Sequence, residues 1–291
     1  MGRMPEGDTV WQAARRLDAA LAGRRLVRCE LRVPKLATAD LTGRAVLGVV
    51  PRGKHLLARV EGGLTLHSHL RMDGQWRVFA AGERWHGGPG HQIRAVLGTA
   101  EGTAVGYRLQ VLDLLRTAEE ARVVGHLGPD LLGPDWDREE ALRRLRAEPA
   151  RPLGTALLDQ RNLAGIGNVF MAELCFLARA TPWLTVGELD RAGGLAGLVA
   201  EAERLLAENR ERPARATTPP RLRARGPRLH VYGRAPRPCP VCGTPVRVAG
   251  ETHETQGRER PTYWCPGCQR GPAPGPAAPR PGRPPRRPGP R

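Results

Sequence analysis

No apolar run in this 291-residue chain reaches the roughly 18–20 residues that a membrane-spanning helix needs. The first residues also lack the apolar core of an export signal. No internal repeat is visible, which sets aside solenoid and propeller arrays. Acidic residues are scarce, 29 against 46 basic ones, for a formal charge of +17. Such an excess predicts a polyanionic partner, most simply nucleic acid. Arg supplies nearly all of it, and its planar fork suits phosphate oxygens. A GC-rich genome also inflates Arg, but the excess is localised: residues 210–237 and 272–291 together hold 13 of the 17 net charges. These features lead us to expect a cytoplasmic, nucleoid-associated protein, acting as a monomer.

The chain is long enough for two domains and a small extra module. Residues 5–22 read as one helix, with Val10, Ala13, Ala14, Leu17 and Leu21 at helical spacing and Gly23 as its stop. From 24 to about 118 short β runs follow: 26–33, 45–50, 55–60, 64–67, 76–80, 91–97 and 105–112. Gly-rich turns divide them, which suggests a sandwich or barrel. From about 119 the pattern is helical, with expected helices at 137–146 (capped near Asp135), 151–160, 168–178 and 190–209. Residues 210–237 are basic and Pro-rich, and 272–291 contain only Pro, Gly, Ala and Arg. The latter composition cannot bury a core and is expected to be disordered.

The most specific signal lies in the cysteines. Cys239-Pro-Val-Cys242 and Cys265-Pro-Gly-Cys268 are separated by 22 residues. Two CxxC knuckles supply four thiolates in tetrahedral array, the closed coordination of one structural zinc, with the intervening segment as a hairpin. Cys29 and Cys175 lie in apolar runs and read as inert core residues. Gly165-Ile166-Gly167-Asn168 separates two helical patterns. Its glycines let one backbone approach another closely, and its N–H groups with the Asn168 amide make a natural phosphate site. A plain αα-hairpin with Asn168 as N-cap reads equally well. At the start stands Met4-Pro5-Glu6-Gly7-Asp8. If Met4 is the initiator and is removed, the chain begins with a free secondary amine followed by a carboxylic acid. Such an amine attacks an aldehyde-level carbon to give an iminium, an electron sink for elimination, and the adjacent carboxyl can move protons. The alternative is an ordinary helix-initiating proline.

Four motifs taken in order resemble the formamidopyrimidine-DNA glycosylase/endonuclease VIII family of bifunctional DNA repair enzymes. They are Pro5-Glu6-Gly7, Arg52-Gly53-Lys54-His55, Leu158-Asp159-Gln160 through Gly165-Ile166-Gly167-Asn168, and Arg260-Pro-Thr-Tyr-Trp-Cys265-Pro-Gly-Cys268-Gln269. The resemblance covers about 4–270 and favours the endonuclease VIII side, particularly its actinobacterial second branch. Residues 100–118 lack the Arg-Arg-Phe-Gly run of the purine-repair branch, which tilts the expected substrate to oxidised pyrimidines. The implied fold is α+β and multidomain: an N-terminal helix plus β-sandwich at 4–118, a helix–two-turn–helix domain at 119–215, a zinc-finger hairpin at 229–270 and a basic tail at 271–291.

The resemblance also implies roles. Pro5 is the nucleophile on C1′ of the damaged nucleotide, and Glu6 the acid/base. Lys54 relays a proton; a solvated turn lysine is its plain alternative. Arg260 grips the phosphate flanking the lesion; a surface arginine is the alternative. Asn168 binds backbone phosphate. Arg71 and Met72, in Ser68–Gly74, fill the gap left by an extruded base, with Met72 alternatively a core residue. His126, in the linker Val124–Asp130, contacts DNA or is structural. The basic tail adds salt-sensitive, nonspecific affinity. Retention of Met1-Gly2-Arg3-Met4 would make the Pro5 nitrogen an amide and remove the nucleophile. A non-catalytic damaged-DNA binder, an enzyme limited to abasic-site cleavage, and a zinc-ribbon RNA-binding or transcription protein are the rival functions.

Overall fold

The computed structural model describes residues 4–224, 226–252 and 259–274, with backbone alone at 251–252 and 259–260. Helix α1 (Gly7–Leu21) buries Val10, Ala13, Ala14, Leu17 and Leu21 along one face. Gly23, at φ +74°, then turns the chain into a backbone conformation that only glycine adopts cheaply. Two antiparallel four-stranded sheets follow. One has the order β1 (Arg28–Leu31), β6 (Ile93–Gly98), β7 (Gly102–Tyr107), β5 (Gln75–Ala80); the other β2 (Val46–Arg52), β3 (His55–Val60), β4 (Leu64–His69), β8 (Val111–Arg116). Inward residues of both sheets, among them Leu56, Leu66, Trp76, Leu97, Ala104 and Leu112, share one core with the buried face of α1. The sequence suggests one strand over 105–112. The structure places two strands there, divided by a turn in which Arg108 takes φ +51° and Leu109 enters the core.

The second core is helical. It is built by α3 (Arg138–Arg146), α4 (Leu153–Leu158), α5 (Asn168–Leu177), α6 (Val186–Arg191) and α7 (Leu195–Arg210), after a short α2 (Ala121–Val124). The cap of α3 is Asp137 rather than Asp135, its carboxylate accepting from the Glu140 N–H. The helix expected over 190–209 is α7, which begins only at Leu195, after Gly193 at φ +74°; ahead of it stands a short helix not expected from the sequence, α6, which Thr185 starts with a capping box. The amide of Gln12 on α1 lies 2.8–3.0 Å from the carbonyl oxygens of Asn209, Arg210 and Arg212, so the first helix seals the end of α7.

After a four-residue helix α8 (Pro220–Arg223), the cysteine segment forms an antiparallel hairpin of β9 (Arg247–Thr252) and β10 (Glu259–Trp264). Its apolar base, with Cys239, Val246, Cys265 and Val231, packs on Ala172 and Phe176 of α5. Gln269 ties it further: its side chain accepts from the Cys265 N–H and donates to the Ala180 carbonyl. No helix among the described residues is long and apolar enough to cross a membrane. The basic tail falls outside the described residues from 275 onward.

Candidate active site

Helix α5 organises the site. Its first N–H groups have no partners within the helix and carry the positive end of the helix dipole. Glu6, wholly buried, fills that position: its carboxylate accepts from the N–H groups of Gly167 (2.9 Å), Val169 (2.7 Å) and Phe170 (3.2 Å). The phosphate site expected on these backbone groups is therefore already occupied by a carboxylate of the chain itself. Gly167 is needed here, because a Cβ on it would sit 2.5 Å from the Glu6 carboxyl carbon. One residue on, the Gly7 N–H donates to the Gly165 carbonyl at 2.9 Å. A Cβ on Gly7 would lie 3.0 Å from the Gly165 Cα. Gly165 has φ +112°, a backbone closed to other residues.

The turn carrying Lys54 docks at the same place. The Gly53 N–H donates to Asp130 at 2.6 Å, and a Cβ on Gly53 would meet the Ala164 methyl at 3.1 Å. Asp130 lies in the linker between the sandwich and the helices; burial pushes its carboxyl above the usual range. Lys54 is half-buried. The dipeptide Pro5-Glu6, the Lys54 turn and the start of α5 thus converge through close contacts at Gly7, Gly53 and Gly167, the last of which leaves no room for a Cβ.

Pro5 lines a cleft of about 560 Å³ together with Met72, Asp73, Trp76, Arg77 and Arg108. Met72 is 52 % exposed at a loop tip, which excludes the core alternative for it. Arg71, beside it, is exposed at φ +52°, with its N–H donating to the Nδ1 of His69. Arg108 holds this loop by donating to the Asp73 carbonyl at 3.0 Å. His126 is exposed, its ring 6.3 Å from that of His55.

A histidine row runs along the face of β3 and β4. His55 Nδ1 lies 2.8 Å from His67 Nε2, and His67 Nδ1 lies 3.3 Å from Asp113. Burial, then neighbouring positive groups, pushes His55 down to about 3 and His69 down to about 2. Both are neutral hydrogen-bonding groups at neutral pH. The cause is the strand register, which sets His55 opposite His69 and Leu57 opposite His67.

Asn168 opens α5 but does not cap it; Gly167 stands at the cap. The Asn168 side chain is fully buried and donates to the Pro261 carbonyl of β10 at 2.8 Å. It thus ties the helix start to the cysteine hairpin. Arg260 is placed by its backbone opposite Glu251 in that hairpin, and its side chain lies outside the described residues. The four sulfurs of Cys239, Cys242, Cys265 and Cys268 lie within 4.8 Å of one another and could hold a metal ion. Two of the sulfur pairs, Cys242–Cys265 at 3.4 Å and Cys239–Cys268 at 3.9 Å, bracket the separation of about 3.8 Å that tetrahedral metal–sulfur bonds of about 2.3 Å require. They are far too long for disulfides. Cys175 is buried and Cys29 half-buried, and burial pushes both thiols up, so neither is a ready nucleophile.

Three structural dependencies had no local sequence signal. Arg108 acts through an uncommon backbone angle. Glu173, in the apolar run of α5, accepts N–H bonds from His230, Val231 and Tyr232 and so fastens the approach to the cysteine hairpin. Arg215, from the basic stretch, is turned inward onto Asp8.

A two-domain protein with a cysteine hairpin, gathered around the start of one helix, is the class this geometry defines. Residues 4–110 match the description "Formamidopyrimidine-DNA glycosylase N-terminal domain". The chain is 70 % identical over 275 residues to "Probable endonuclease 8 2" of Streptomyces coelicolor, covering 94 % of this chain and 96 % of that one. It is 46 % identical to "DNA-(apurinic or apyrimidinic site) lyase Nei2" of Mycolicibacterium smegmatis, covering 91 % and 99 %. To "Endonuclease 8" of Escherichia coli it is 33 % identical, covering 91 % and 100 %. The fold matches Lactococcus lactis formamidopyrimidine-DNA glycosylase bound to abasic-site DNA, with a TM-score of 0.74 at 22 % identity, covering 91 % of this chain and all of that one. The chain belongs to the formamidopyrimidine-DNA glycosylase/endonuclease VIII family. Within it, identity is higher to the actinobacterial relatives just described than to the enterobacterial one.

Proposed function

We propose that the protein is a bifunctional DNA glycosylase and abasic-site lyase of base excision repair, acting on oxidised bases, with pyrimidines favoured. The observation that carries this is the placement of Pro5 on a cleft wall while the next residue's carboxylate is fixed by three N–H donors. The reading requires an unacylated Pro5 nitrogen. The nitrogen attacks C1′ and the base leaves. Loss of the N–H proton and ring opening then give an iminium, with Glu6 as the acid/base beside it. Removal of a C2′ proton breaks the 3′ C–O bond by β-elimination, and a second elimination breaks the 5′ side. Lys54 and Arg260 supply positive charge to the leaving phosphates. Met72 and Arg71 occupy the gap left by the extruded nucleotide, and Arg108 holds their loop. His126 contributes a contact to the DNA backbone, whereas the buried Asn168, expected to bind phosphate, instead braces the hairpin against α5. In the cytoplasm, where thiols stay reduced, the ion for four thiolates is one structural zinc. No ligand position is left open, so its contribution is to fold the hairpin that presents Arg260.

A panel of lesion-bearing duplexes tests the reading. Oxidised-pyrimidine substrates are expected to be cleaved faster than oxidised-guanine ones, with no base release by Pro5→Gly. Equal cleavage by wild type and Pro5→Gly would overturn it. The zinc assignment predicts that chelation with dialysis removes one zinc per chain and abolishes tight DNA binding. The helical core, read by circular dichroism, persists. Tight binding by metal-free protein would count against the hairpin's role.

A further inference from the structure

We infer that Arg215 is a positioning residue that sets the acidity of the Pro5 amine by neutralising the carboxylates around it. This rests on the proposed nucleophilic role of Pro5. Arg215 is only 9 % exposed although it comes from the stretch richest in basic residues. Its Nε donates to Asp8 at 2.8 Å, its Nη2 donates to the other oxygen of Asp8 and to the Thr9 hydroxyl at 3.1 Å. Its Nη1 lies 3.7 Å from Glu6, and the guanidinium stacks at 4.8 Å from the centre of the Phe170 ring. The remaining contact is the informative one: Nη1 donates to the carbonyl oxygen of Met4 at 3.4 Å. That carbonyl is the group attached to the Pro5 nitrogen. An amide oxygen and nitrogen are at most about 2.6 Å apart, so the guanidinium lies within about 6 Å of the Pro5 nitrogen. Removal of Met4 takes away this acceptor and leaves the charge beside a free amine.

The charges facing that amine come from several elements. Glu6 and Asp8 stand on its own segment, Arg215 on the loop after α7, and the start of α5 adds a partial positive charge. Tyr232, which also faces Glu6, is pushed up to about 12 by burial and stays neutral. The cleft that Pro5 lines also carries Asp73, Arg77, His86 and Arg108, and Arg16 of α1. Within the near group, two carboxylates oppose one guanidinium. Without Arg215 both carboxylates stabilise the ammonium form of Pro5 unopposed, and the fraction of neutral nucleophile at cell pH falls. Mere backbone attraction to DNA does not require an arginine buried under a phenyl ring.

The test is the single-turnover rate of borohydride trapping on abasic-site DNA between pH 5.5 and 9, with the full chain confirmed to begin at Pro5. For Arg215→Met the acid limb is expected to move up by about one pH unit, giving about tenfold slower trapping at pH 6.5 and near-normal trapping at pH 9. Arg215→Lys restores most of the shift. Asp8→Asn, which removes a negative charge instead, moves the limb down and carries the test independently should the methionine variant fold poorly. Coincident limbs, or a loss equal at every pH, would overturn the inference while leaving the glycosylase/lyase reading intact. Absence of trapping by the wild type would sink that reading and this inference with it.

Discussion

Glu6→Gln is expected to lower base release and strand cleavage by about 10²–10⁴-fold while binding to abasic-site DNA changes only severalfold. The carboxamide keeps the shape of the side chain. It replaces one acceptor oxygen by a donor, and that donor then faces an N–H at the start of α5. Proton movement beside Pro5 is lost with little loss of packing. The separation between chemistry and binding is the informative result. A variant that loses both together would have collapsed the platform instead, as is expected of Gly167→Ala, whose new methyl would overlap the Glu6 carboxyl. Single-turnover excision and electrophoretic binding measured on the same preparation distinguish the two outcomes.

The second large effect is on stability. Glu173 is fully buried in α5 and accepts from the Thr217 hydroxyl, from the N–H and ring of His230, and from the N–H groups of Val231 and Tyr232. Burial by itself raises its pKa, but His230, Thr217 and the N–H donors outweigh burial and hold it below the usual carboxylate range. Glu173→Ala leaves these groups buried without an acceptor and is expected to cost about 3–5 kcal/mol, read as a lower midpoint in urea. Glu173→Gln is expected to cost less. Because the folded pKa is depressed, the carboxylate's contribution is present above its unfolded pKa of about 4.3 and is lost as pH falls through the folded value. The gap between wild type and the glutamine variant therefore closes in acid, below about pH 4. A gap independent of pH would show that shape, not charge, fastens the loop.

The parts of this molecule that were legible in the sequence are those with local signatures. The face of α1 shows in its period, the turns in their glycines, and the four cysteines in their two pairs. Gly165 and Gly167 announce a close approach, but the partner in that approach is 158 to 161 positions away, as Gly7 and Glu6 lie at the other end of the chain. An empty helix start in the sequence therefore reads as a place for an external phosphate, when the fold fills it internally. Arg215 sits among eight other arginines between 210 and 237, and nothing local distinguishes an arginine bound for the interior from one facing solvent. The same holds for Glu173, one charge in an apolar helix. The row of His55, His67 and His69 depends on strand register, which short β runs do not define. Boundaries moved where a single residue intervenes: the Arg108 turn splits one expected strand, and Gly193 delays the start of the expected last long helix to Leu195.

The most direct measurement is to trap the protein on abasic-site DNA with borohydride, digest it and identify by mass the residue bearing the sugar. The account predicts a single adduct on the nitrogen of Pro5 as the first residue of the chain. An adduct on Lys54 or another lysine, or cleavage of damaged duplexes by protein whose Pro5 remains acylated, would contradict it.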